Sequence, residues 1–85
     1  MEVGDYYNNI LCESFLDPET GRVRIRTIKC PALPNSLMVE SLKIFRDLDR
    51  YHLGTKFKTT NIKICKKPDG RIYARADGQM LYPID

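Results

Sequence analysis

Four cations, Lys63, Lys67, Arg71 and Arg75, fall around Tyr73 in a stretch that alternates like a β-hairpin. Cations neutralise phosphates and release their counterions, and an exposed tyrosine can stack on an unpaired base. Those residue types in that pattern point to nucleic-acid binding. Arg22, Arg24 and Arg26 repeat the alternation upstream and would lengthen the positive stripe if both hairpins show the same side. The aromatic signature of RNA-recognition motifs is absent. Lys and Arg on a strand also serve simply as a solvated face that deters edge pairing.

Catalytic chemistry has little to work with. The chain carries no G-x-S-x-G, H-E-x-x-H, P-loop or G-x-G-x-x-G motif. His52 is the only histidine, and no acid or base partner is evident for it. Cys12, Cys30 and Cys65 are odd in number and widely spaced, with no C-x-x-C pair. That pattern argues against a disulfide framework and against zinc. The expectation is a non-enzymatic protein with no cofactor and no metal, its thiols reduced in the cytoplasm. Met1–Asp5 lacks the basic and apolar regions of a secretory signal, and no apolar run is long enough to span a membrane.

The net charge of +3 hides a segregation. Residues 1–21 hold five of the eleven acids and no Lys or Arg, a balance of −5. Residues 22–85 hold all fourteen Lys and Arg against the other six acids, a balance of +8. A second functional reading follows: a protein-interaction module or homodimer in which the acidic 1–21 segment of one molecule meets the basic 22–85 segment of another. Tyr6, Tyr7, Tyr51 and Tyr82 are candidate anchors. With 85 residues the core is thin, and dimerisation would enlarge it.

The elements that must position these groups read as one domain over 1–85, with 1–9 frayed. Ile10–Leu16 is a first strand. Asp17-Pro18-Glu19-Thr20-Gly21 is turn chemistry, and Arg22–Lys29 alternates as a second strand around inward Val23 and Ile25. Pro31 and Pro34 exclude regular structure between them. Asn35 or Ser36 then caps a predicted helix carrying Met38, Leu42, Phe45 and Leu48 at helical spacing, with Gly54 as its stop. The competing reading makes Leu37–Val39 a short strand and shortens that helix.

Thr55–Thr60 alternates again. The stretch Leu53-Gly54-Thr55-Lys56-Phe57 resembles the Gly-Thr-x-Phe lead-in to small β-barrels, without attaching the chain to a characterised family. Asn61–Lys67 and Arg71–Ala76 flank Lys67-Pro68-Asp69-Gly70-Arg71, which fits a type I turn with a G1 bulge. That loop predicts Cys65 opposite Tyr73, Lys63 opposite Arg75, Ile64 opposite Ala74 and Ile62 opposite Ala76. Asp77-Gly78 turns the chain into a last short strand at Met80–Tyr82.

The expected fold is α+β: a single antiparallel sheet of four or five strands with one helix packed on it. The alternative is a small closed β-barrel with a capping helix. Ile25, Leu42, Phe45, Phe57, Ile62, Ile64 and Ile72 are the expected core.

Overall fold

The computed structural model describes residues 1–34 and 36–84. Strands β1 (Tyr6–Asn8) and β2 (Leu11–Leu16) are two halves of one bent run, as are β5 (Lys56–Lys58) and β6 (Asn61–Lys66). The two runs pair antiparallel in an unbroken register, from Tyr6 opposite Lys63 to Glu13 opposite Lys56. The bend falls at Asn9, which takes φ +55°, a conformation asparagine tolerates better than most residues. Thr59 holds the corner: its hydroxyl accepts the Ile10 N–H at 3.1 Å while its own N–H donates to the Ile10 carbonyl.

Bending sends each run through two sheets. One has the order β1-β6-β7-β4, with β7 at Ile72–Ala76 and β4 at Val39–Glu40. The other has the order β3-β2-β5-β8, with β3 at Val23–Thr27 and β8 at Tyr82–Pro83. A second corner joins them. Arg26 bridges Met38, Thr27 N–H donates to the Leu37 carbonyl, and Ala74 N–H donates to the Met38 carbonyl. The strands thus wrap into a partly open barrel, with β4 lying parallel to β7 and β8 appended at an edge.

This overturns the single sheet with a packed helix. The helix, common to that fold and to its barrel alternative, is absent among the described residues. Its segment forms β4 and a short 3-10 turn at Lys43–Arg46. Burial alternates from Leu37 to Glu40, the period of a strand. Leu42 and Leu48 are 42% and 51% exposed, so of the expected stripe only Phe45 is buried, and Leu42 leaves the expected core. Ser36 sits at φ +66° and donates to the Thr27 carbonyl, which is not cap geometry. Asn35, the other proposed cap, lies outside the described residues. Gly54 stops no helix; its N–H reaches the Ser14 carbonyl and hydroxyl and leads the chain into β5. Tyr6–Asn8, expected at the loose start of the chain, forms β1.

The β6–β7 hairpin matches its expectation, whereas the last strand falls at Tyr82–Pro83 rather than Met80–Tyr82. The β6–β7 register pairs Cys65 with Tyr73, Lys63 with Arg75, Ile64 with Ala74 and Ile62 with Ala76. Gly70 takes φ +94° and Lys67 N–H donates to the Arg71 carbonyl, closing the bulged turn. Ile25, Phe45, Phe57, Ile62 and Ile64 are buried together with Cys12, Val39, Ala74, Ala76 and Leu81. Ile72 packs half-buried against them.

Cys12 lies inside this core, its thiol directed at the Phe57 carbonyl at 3.6 Å. Burial pushes its pKa up to about 12, so almost no thiolate exists at pH 8. A chromogenic disulfide reagent is expected to titrate Cys30 and Cys65, both half-buried, in native protein. Cys12 should react only after denaturation. Fast native modification of all three would show that the core opens.

Candidate functional site

All eight expected site residues lie on the outer side of the barrel wall or at its turns, but they do not form one stripe. Arg26 donates to Glu13 Oε1 through Nε at 3.1 Å and Nη2 at 3.0 Å, and its guanidinium lies over the Phe15 ring. Lys56 Nζ reaches Glu13 Oε2 at 3.2 Å. The three make a cross-strand row over β3, β2 and β5. Arg26 is therefore committed within the fold. Arg71 is committed likewise: its Nε donates to Asp69 Oδ2 at 2.8 Å, at the exposed tip of the β6–β7 turn.

The Arg26–Glu13–Lys56 row makes stability pH-dependent. Partial burial pushes the Glu13 carboxyl up, but the hydrogen bonds from Arg26 and Lys56 and their charges together hold it below the ordinary glutamate range. A carboxyl with a depressed folded pKa stabilises above its unfolded pKa, and that contribution is lost as pH falls through the folded value. Glu13→Gln is expected to cost about 0.5–1 kcal/mol at pH 7 and to flatten the loss of stability below about pH 4. Urea unfolding from pH 7 to pH 3 measures both, and an unchanged acid limb would show that the row contributes nothing.

Lys63 and Arg75 face each other across β6 and β7. With Tyr6, Asn61 and Asp77 they line a depression of about 330 Å³ at the β1 side of that sheet. Lys63 Nζ lies 5.8 Å from the Tyr6 ring centre. Arg75 also sits opposite Glu40 in the β4–β7 register.

Arg24, Lys67 and Tyr73 do come together. They line a groove of about 360 Å³ over the β3–β4–β7 corner, with Met38, Glu40, Ser41, Arg46 and Gln79. The bulged turn places Lys67 Nζ 5.1 Å from the Tyr73 ring centre. Tyr73 is half-buried and points outward, because its neighbours Ala74 and Ile72 point in. Partial desolvation first, then the nearby Cys65 and Glu40, pushes its phenol pKa up, so the ring stays neutral. Arg24 holds Asp17 at only 3.7 Å.

The residues missed from sequence are those of the lost helix. Phe45 is buried against Phe57 and Tyr51, and its anchoring turns Lys43 and Arg46 outward beside β3. Arg46 Nε is shielded from solvent and has no acceptor among the described residues. Arg22, Lys43, Arg46 and Arg50 line a second, wider groove of about 780 Å³ that shares Arg46 with the first. The signal was present as the cations Lys43, Arg46 and Arg50, at successive spacings of three and four, which a helical reading assigns to a solvated face.

Among the described residues no three His, Cys, Asp or Glu side chains gather as metal ligands. No helix among the described residues is long and apolar enough to cross a membrane. No protein-family model matches the chain, and no curated protein or solved structure matches it.

Proposed function

We propose that this is a non-enzymatic single-stranded nucleic-acid-binding domain whose ligand lies in the groove of Arg24, Arg46, Lys67 and Tyr73. The observation that carries the reading is that groove itself: three cations from three separate segments line it with one outward aromatic ring, against a single acid, Glu40. The cations suit phosphates, and a neutral tyrosine ring suits a base that is not paired. The partly open five-strand barrel, counting each bent run once, offers a fold-level analogy. OB-folds bind oligonucleotides on the face of strands two and three and on the loop between strands four and five. Here that face is β3 and β4, and that loop is the Lys67–Arg71 turn. The same reading keeps the protein in a reducing cytoplasm, where its thiols stay free.

The interaction-module alternative draws less support from the charge segregation, because Glu13 is engaged by Arg26 and Lys56 of the same chain.

Fluorescence anisotropy with labelled oligothymidylate, oligouridylate and a DNA duplex tests the proposal. Binding at 50 mM salt is expected for the single strands, weaker for the duplex, and falling linearly in log affinity with log salt. No single-strand binding at that salt would overturn it.

A further inference from the structure

Resting on that reading, we infer that the bound strand continues past Arg46 into the second groove, where Arg22, Lys43 and Arg50 hold the phosphates of flanking nucleotides. Arg46 lines both grooves, so the two meet at this residue. The second groove gathers four cations against one acid, Asp47. Asp47 is partly occupied: its carboxylate accepts the Asp49 N–H at 3.0 Å and lies 3.9 Å from Arg50. Among the described residues, Arg22, Lys43 and Arg46 have no carboxylate within 4 Å.

The two grooves differ in chemistry. The first offers the Tyr73 ring; the second offers no aromatic side chain among its lining residues, only Val23 and Ile44 beneath the charges. Stacking and charge are thus separated in space: the first groove holds a base, and the second tracks backbone without preference among bases. A polyanion is the ligand that satisfies both, since a mononucleotide would leave the second groove unused. Arg46, whose Nε has no acceptor among the described residues, is placed to take the phosphate at the junction.

Amide chemical-shift mapping on the full chain separates the outcomes. A trimeric oligothymidylate is expected to move amides at Arg46, Lys67 and Tyr73 but not those at Arg22, Lys43 and Arg50, which line the second groove alone. A twelve-residue oligothymidylate or oligouridylate should move both sets, the two arms distinguishing DNA from RNA. Lys43→Glu with Arg50→Glu should weaken twelve-residue binding roughly ten- to a hundredfold and reduce the salt slope by about 1.4, leaving the trimer shifts unchanged. If the long strand moves the Tyr73 set alone and the double variant binds it normally, the extended track is wrong and the first groove stands. If it moves neither set, both readings fail. Shifts confined to Arg22, Lys43 and Arg50 would also overturn the inference, because the strand would then not run on from the first groove.

Discussion

Phe57→Ala is expected to cost about 3–5 kcal/mol of folding stability, the usual range for emptying a core phenylalanine site. Phe57 is fully buried on β5, the short strand paired on both sides by β2 and β8. Its ring meets Phe45 edge-on at 5.6 Å and Tyr51 edge-on at 5.3 Å, while those two rings stack at 6.0 Å. This aromatic trio ties the 43–51 segment to the core, beside the packing of Ile44. Truncation leaves a cavity and also releases the turn that carries Lys43 and Arg46. A domain of this size commands roughly 4–13 kcal/mol in total, so the loss takes a large share. The thermal midpoint should fall by roughly 12–40 °C. Phe57→Leu keeps most of the volume and should cost less. Calorimetry on both variants decides the matter: a Phe57→Ala loss below about 1 kcal/mol would mean the trio does not hold the segment.

The same segment shows where sequence reading stops. The β6–β7 hairpin was legible because its register is set locally, by Pro68, Asp69 and Gly70 in the turn and by strict alternation on either side. Arg24, Lys67 and Tyr73 could be placed outward for the same reason. Residues 37–48 carry a mixed pattern: Leu37 and Val39 fit a strand, while Met38, Leu42 and Phe45 fit a helix. What decides between them is the pairing of Val39 with Ala74, 35 positions away, and the Arg26–Met38 bridge. Non-local pairing leaves no mark in a local window. The stripe failed for a related reason. In a flat sheet outward residues share one face, whereas a wrapped sheet spreads them around its circumference. Lys63 and Arg75 therefore line one depression, Arg24 and Lys67 another, and Arg22 a third.

Reversing two charges in the groove should separate a binding surface from a merely solvated one. Arg46→Glu with Lys67→Glu changes the net charge from +3 to −1, since each reversal removes two units. Charge-assisted contacts contribute about 1.5–3 kcal/mol each, so losing both lowers single-strand affinity by at least about a hundredfold at low salt. Fewer neutralised phosphates also flatten the salt dependence, by about 1.4 in slope for a single strand. Net charge alone would weaken association with any polyanion, so the control must carry the same change elsewhere. Lys29→Glu with Lys58→Glu does, and neither residue lines any of the three grooves. Long-range attraction predicts equal losses in the two double variants; a localised site predicts a much larger loss in the first. Tyr73→Ala adds a charge-free probe: removing one stacking platform should cost about 1–3 kcal/mol of binding with an unchanged salt slope, while Tyr73→Phe retains it. Equal losses in both double variants, together with normal binding by Tyr73→Ala, would return the groove to ordinary solvated surface.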